Sequence, residues 1–579
     1  MTHGRVRVGA GGTVLQTLPT KVTLLEASGR AARKSDDFGT ARARFEEALA
    51  LLGAEHPGWR SRLHVQLSRV LMLSGDADAS LREARLAVDV APSIPTRAIA
   101  HARVAMCLSR VGRAHEARLT ARQAVEAALV AGDAETEGIA RTALGYALRC
   151  GGQPAAAAAE FRAAVPLAVA SGDDEAVIAR LIDLANSLEL AGDVDGALEV
   201  ARQAMMEGRR RDVSTGMAAA GYAYHLFHAG RWQAAARVVD DALSSGASIP
   251  WLVLMRAHLL MGRGELGRAR RALVAAERLA QGPRSGGWDG PHETAAELFL
   301  WSGQPANALK HVQQALMAVD VPERSDAIRG LAILGLRAVA DLRRSQPGRR
   351  DAPWQGVADE LIDLLRRHSS LMRDGHPDDA GAHLAGVEAV AAAEYARAYG
   401  LDAPETWATA AACQEALKNA WSAAYARHRQ AQALIRVAGP TADIHDCLAA
   451  AYRTAVRLKA ARLVAAVEAD AATAGVSLLA GSPPSQPTAP MEPRGLTPRE
   501  REILRLLGLG ASNRRIAHAL GISEKTVSVH VGNITGKLGV ANRLEAAAVA
   551  MRTFVRDANP TLRQTGARPR PPGAPRTPR

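Results

Sequence analysis

The residues best suited to do chemistry lie near the C-terminal end, between positions 512 and 538. Ser523 and Glu524 open a stretch in which Val527, Val531, Ile534 and Leu538 recur at i, i+4, i+7 and i+11. That spacing is one apolar stripe of a helix. The remaining faces carry Lys525, Ser528, Val529, Gly532 and Thr535, which are small, polar or cationic. Short side chains let a helix approach a groove closely, and hydroxyls and an ammonium can meet phosphates or base edges. Binding chemistry is the expectation here, not catalysis. Elsewhere no catalytic set forms. The only Gly-Lys pair, Gly536-Lys537, is followed by Leu538, so the phosphate-cradling GxxxxGK[ST] loop does not occur. The histidines show neither HExxH nor another paired ligand spacing. Asp374, His376, Asp378 and Asp379 are interrupted by Gly375 and Pro377 and read as a solvated turn. No cofactor, metal site or enzymatic activity is expected.

The elements that must hold this face are legible around it. Thr497-Pro498-Arg499-Glu500 is a helix start, with Thr497 as N-cap, Pro498 at the first helical position and Glu500 completing a capping box. Gly508 and Gly510 end that helix. Ser512 caps a short second helix bearing Ile516, Ala517 and Leu520, and Gly521-Ile522 makes a tight turn into the third. Gly539 stops the third, and residues 543–552 form a fourth. Two short helices joined by a Gly-containing turn are either a helix-turn-helix or an ordinary helical hairpin. Helix pattern alone leaves both open.

Residues 494–552 resemble the DNA-binding domain of the LuxR family of bacterial transcription regulators. The likeness runs through LTPREREIL, SNRRIAHALGISEKTVSVHV and KLGV. It implies that residues 523–537 are the recognition helix, with Lys525, Thr526, Ser528, Val529, His530, Gly532, Asn533 and Lys537 facing or flanking DNA. Thr526, Asn533 and Lys537 would contact phosphate, as would Ser512, Asn513 and Arg514 at the start of the scaffold helix. Ser528, Val529 and Gly532 would read bases. The commoner family pattern has Lys where Ser528 stands and a polar or basic residue where Gly532 stands. Fewer guanine contacts are therefore expected, with more reliance on Val529, thymine methyls and DNA shape. In the family the fourth helix is a dimerisation surface, which implies a homodimer on double-stranded promoter DNA; the alternative is that this helix packs only inside its own domain.

A repeat occupies most of the remaining chain. A turn residue, usually Gly, is followed five positions later by Ala inside an amphipathic stretch, as in GRAHEARLTARQAV, GDVDGALEVARQAM and GQPANALKHVQQAL. The first positions are Asp36, Gly75, Gly112, Gly152, Gly192, Gly230, Gly264 and Gly303, spaced by 39, 37, 40, 40, 38, 34 and 39. Each period holds two helices of ~12–16 residues, which cannot bury an apolar stripe alone and must stack. The pattern resembles tetratricopeptide and related helical repeats over residues 18–320. Helical patterning continues through 321–480 as the Gly signal fades. The expected organisation is an unstructured 1–17, the two repeat regions, a Pro-rich linker at 481–493, a LuxR-type domain at 494–555 and a basic tail at 556–579. The fold class is all-α: a tetratricopeptide-like solenoid followed by a small four-helix helix-turn-helix domain. The order resembles the helical and DNA-binding parts of the large ATP-binding LuxR regulators, without their ATPase. Trp232, Trp251, Trp288 and Trp301 are either core or an aromatic surface for a small ligand or peptide.

Composition agrees with these readings. The 579 residues are 4% aromatic and rich in Ala, Leu and Arg, which favours helix over a large β-domain. No run of 18 apolar residues or signal-peptide pattern occurs, so no membrane association and a cytoplasmic protein are expected. Cys107, Cys150, Cys413 and Cys447 are widely separated, as expected of buried thiols. The net charge of +13 is unevenly spread. Residues 491–579 hold 16 Lys+Arg against 6 Asp+Glu, whereas the other 490 residues hold 56 against 53. The cationic excess thus lies with the DNA-binding segment and tail. The function expected is a transcription regulator whose solenoid senses a small-molecule or protein effector. The alternative is a protein-interaction scaffold with secondary DNA binding.

Overall fold

The computed structural model describes residues 18–35, 37–213, 215–247, 249–280, 290–318, 325–346, 354–373, 381–439, 441–478, 496–508 and 513–538. The expectations for residues 1–17, for the linker at 481–493, for the fourth helix and for the basic tail lie outside these. So do Ser512, Trp288 and the acidic turn at 374–379. Among the described residues there are twenty-six helices and no strand. The chain divides into two compact units, residues 1–478 and 479–579.

The larger unit is a succession of helical hairpins. Pro57–Leu73 pairs with Ala77–Asp89, Ile94–Arg110 with Ala114–Ala131, Ala134–Cys150 with Pro154–Ala170, and Asp174–Leu190 with Val194–Arg211. The turns explain the glycine period. Gly75, Gly112, Gly152, Gly192, Gly230, Gly264 and Gly303 all have φ between +70° and +90°, where a β-carbon is penalised. Aspartates then restart the chain. Asp76, Asp133, Asp173 and Asp193 each follow a glycine and accept the backbone N–H three residues on, at 2.9 Å.

Five residues after each turn position the side chain disappears from solvent. Ala41, Ala117, Ala157, Ala197, Ala235, Ala269 and Ala308 are 0% exposed, and so is Ser80. A methyl-sized group there lets the two helices of a hairpin approach closely. Aromatic rings use the same device in reverse, each lying on a helical glycine. A β-carbon at Gly29 would stand 2.7 Å from the Phe45 ring, one at Gly145 2.8 Å from Phe161, and one at Gly262 2.4 Å from Trp232.

The hairpins continue beyond residue 320, through helices such as Ser325–Ser345, Gly381–Tyr399, Ala420–Arg436 and Thr441–Leu458. The glycine signal fades because other residues take its conformation. Lys418, Ala438 and Lys459 adopt φ of +54°, +50° and +59° in the turns of this region. The array also winds back on itself. The turn at Gly230 meets Ala420 and Leu458, and that at Gly264 meets Ala461 and Arg462. Lys418 pairs with Asp195. One core cluster accordingly joins Ala223, Trp232 and Leu252 to Ala431, Leu448 and Val467. Cys107 and Cys447 are buried, and all four thiols are free. No helix among the described residues is long and apolar enough to cross a membrane.

Candidate nucleic-acid interface

The small unit is built on three described helices, Pro498–Gly508, Asn513–Leu520 and Glu524–Leu538. The first begins with a reciprocal cap. The Glu500 N–H donates to Thr497 Oγ1 at 3.3 Å, and the Thr497 N–H donates to Glu500 Oε2 at 2.7 Å. Ser523 caps the third helix by accepting the Thr526 N–H at 3.1 Å. Gly521, at φ +64°, makes the turn between the second and third helices. A compact core of Leu496, Ile503, Leu504, Leu507, Ile516, Ala517, Val527 and Ile534 holds them together, with Val531 half-buried beside it.

Burying that stripe leaves a defined outer face. Lys525, Thr526, Ser528, Val529, Gly532, Asn533 and Lys537 are exposed. Val529 is 58% exposed, an apolar side chain presented to solvent on an otherwise polar surface. A β-carbon at Gly532 would meet nothing within 4 Å, so packing within the domain does not require glycine there. His530 is half-buried, and its Nδ1 is buried without a hydrogen-bond partner. Asn513 lies at the start of the second helix and donates from Nδ2 to Ser528 Oγ at 3.0 Å. The side chain of Arg514, like all of Ser512, lies outside the described residues.

Two couplings were not legible in the sequence. Arg499 Nη2 donates to the Leu520 carbonyl at 2.5 Å, pinning the end of the second helix to the first. Lys537 Nζ donates to Glu500 Oε1 and Oε2 at 2.9 and 2.8 Å. This joins the end of the third helix to the cap of the first. Lys537 and the Thr497 N–H together hold the Glu500 carboxyl well below its ordinary range, down to about 2.

This depressed carboxyl has a pH signature. A folded-state value below the unfolded one adds stability that is complete above the unfolded value of 4.5 and is lost as pH falls toward 2. Glu500→Gln is expected to cost about 1 kcal/mol at neutral pH by weakening the cap. Thermal melts of the small unit should show the gap between wild type and variant closing between pH 4.5 and pH 2. A gap that stays constant across that range would show that the Lys537 clamp contributes nothing.

The tryptophans in the large unit do not form one surface. Trp232 is 1% exposed and stacks on Phe227 at 5.0 Å, whereas Trp251 is 48% exposed. Trp301 is half-buried, 5.1 Å from Trp421 and beneath the Arg337 guanidinium at 5.2 Å. Trp232 is therefore a core residue. Among the described residues no group of three His, Cys, Asp or Glu is placed to hold a metal ion.

Residues 494–550 match the family model of the luxR family of bacterial regulatory proteins. The chain is 51% identical over 57 residues to the Bacillus subtilis protein named uncharacterized transcriptional regulatory protein YhcZ, covering 10% of this chain and 27% of that one. It is 50% identical over 52 residues to the nitrate/nitrite response regulator protein NarL of Escherichia coli K12, covering 9% and 24%. The chain thus spans about a quarter of the length of these curated relatives. Among solved structures, a tetratricopeptide repeat protein from Parabacteroides merdae aligns with 45% of this chain and 93% of its own, at 13% identity and a TM-score of 0.31.

Proposed function

Starting from residues 494–550 as a luxR-family helix-turn-helix domain, we propose that this protein is a transcription regulator. Its C-terminal unit binds promoter DNA and its helical repeats sense an effector. The observation that carries the reading is the outer face of Glu524–Leu538. Val527 and Ile534 are buried in the core and Val531 is half-buried beside it, yet Val529 stands in solvent beside small and polar neighbours.

On this reading Ser528, Val529 and Gly532 meet base edges. Val529 offers its methyls to thymine, and Gly532 leaves room for close approach. Thr526, Asn533 and Asn513 hold phosphates, together with Ser512 and Arg514. Lys525 and His530 flank the contact. Lys537 is shared, since its ammonium is already engaged by Glu500, and the carboxylate sets its position beside the backbone. The hydrogen bond from Asn513 to Ser528 fixes the rotamers of a phosphate contact and a base reader before DNA arrives. The domain binds as a homodimer through the fourth helix.

The sensing role is carried through the Pro-rich linker, across which the repeat unit masks or presents the DNA-binding unit. Residues 491–579 alone are then expected to bind promoter DNA without effector, and the full chain to bind more weakly until effector is added. Gel-shift titrations of the two proteins on the same promoter test this. A fragment that binds no DNA while the full chain does would overturn the masking mechanism.

A further inference from the structure

Where the array winds back on itself, the turn at Gly230 comes against Ala420 and Leu458. Trp232 and Trp421 pack into this joint, their rings 5.5 Å apart. At the same joint lies a cavity of about 330 Å³, a size typical of small-molecule sites. It is bounded by helices Pro404–Ala416, Ala420–Arg436 and Thr441–Leu458, and by Ala229 from the Gly230 turn.

The residues that line it share helix faces. On Ala420–Arg436 they are Ala420, Ala423, Ala424 and Arg427, at i, i+3, i+4 and i+7. On Thr441–Leu458 they are Ala450, Thr454 and Arg457, at i, i+4 and i+7. The alanines and Ala229 give the cavity a wall of methyl groups. Part of its charge is already matched. Arg427 Nε and Nη2 each donate to a Glu415 carboxylate oxygen at 2.8 Å, and Lys418 pairs with Asp195.

Three polar groups of the lining are not matched. Gln414 is 6% exposed, and its Nε2 donates to the Gly386 carbonyl at 3.0 Å, while its Oε1 accepts no hydrogen bond among the described residues. The Thr454 hydroxyl and the Arg457 guanidinium have no partner among the described residues either. Buried polar groups are ordinarily paired, and an acceptor left without a donor is costly. One acceptor, one hydroxyl and one guanidinium on an apolar wall match a small molecule with a donor, a carboxylate and an apolar body.

We propose that this cavity binds a small amino acid or hydroxy acid with a branched apolar side chain. Its carboxylate meets Arg457 and the Thr454 hydroxyl, its α-amino or α-hydroxyl group donates to Gln414 Oε1, and its side chain lies on the alanine methyls. The ligand touches Ala229 on one side and helices beyond residue 404 on the other, so it ties successive turns of the array together. The cavity lies in the repeat unit, and its link to regulation rests on the sensing role proposed above.

The test is calorimetric titration of the full chain with L-leucine and with 2-hydroxy-4-methylpentanoate, beside leucinamide, which lacks the carboxylate, and 4-methylpentanoate, which lacks the donor. Saturable binding is expected for at least one of the two acids, and the tighter of them identifies an amino or a hydroxy acid as the source. Leucinamide should bind at least about tenfold more weakly and 4-methylpentanoate at least about threefold. Arg457→Ala is expected to weaken binding of the acid at least about tenfold, whereas Arg453→Ala, on the same helix outside the cavity, leaves it unchanged. Arg457 and Arg453 are exposed, so both variants should melt as wild type does. Ala450→Leu extends a side chain into the cavity and should abolish binding. The proposal fails if neither acid binds, or if the amide and the deaminated acid bind as tightly as the acids do. It also fails if either Arg457→Ala or Ala450→Leu binds as wild type does. Gel shifts with the chain saturated keep the two readings apart. An acid that binds the cavity without altering DNA affinity supports the site and overturns only the sensing role.

Discussion

Glutamate in place of Val529 is expected to weaken promoter binding roughly 100-fold, or about 2.7 kcal/mol. Val529 is 58% exposed and contributes nothing to the core formed by Ile503, Ile516, Val527 and Ile534. The variant should therefore fold as wild type does, within about 0.5 kcal/mol. On DNA the change acts twice. It removes the methyls offered to thymine, and it sets a carboxylate against a polyanion at a site meant for close approach. Gly532→Ala separates shape from charge at the neighbouring position. Nothing lies within 4 Å of its added carbon, so the helix should gain up to about 1 kcal/mol. If Gly532 admits the groove wall, DNA affinity should fall even as the domain melts higher. The measurement is a gel-shift titration at fixed salt beside a thermal melt of each variant. A Val529→Glu protein that binds the promoter as wild type does would show that this face does not touch DNA.

The features that could be read from the sequence share one physical property, that a single residue type satisfies a local constraint. A turn at positive φ selects glycine, so Gly75 through Gly303 mark the hairpins at a near-constant period. A close helix approach selects alanine, so the buried residue five positions on is alanine with the single exception of Ser80. Helix starts select Ser, Thr and Asp, and the caps at Thr497 and Ser523 follow. Where another residue bears the same strain the signal is lost, as at Lys418, Ala438 and Lys459. Contacts between residues far apart in the chain leave no local mark at all. Nothing about the helix position of Lys537 points to Glu500. The aromatic residues near 232 show the same limit, since exposure separates Trp251 from Trp232 while spacing does not.

Trp232→Ala should be the most destabilising single change in the repeat unit, at about 3–5 kcal/mol. The indole is 1% exposed, stacks on Phe227 and donates to the Phe227 carbonyl at 3.1 Å. It also rests on Gly262, where a β-carbon would come within 2.4 Å. Removing it opens a cavity that neither helix can fill, because the glycine beneath has no side chain to move inward. The distribution of the damage is more informative than its size. In a linear repeat array each unit contacts only its neighbours, so a defect at residue 232 would loosen the adjacent hairpins and no others. Here the indole also faces Trp421 at 5.5 Å, within a core cluster that includes Ala431, Leu448, Ala455 and Val467. Hydrogen exchange on Trp232→Ala is therefore expected to show lost protection in two places, across 215–262 and across 420–471, while residues 57–131 stay protected. Loss confined to 215–262 and its sequence neighbours would mean that the contact between successive turns of the array contributes little to stability. Loss in both places would make that contact a joint through which a change in one part of the repeat unit reaches helices almost 200 residues away.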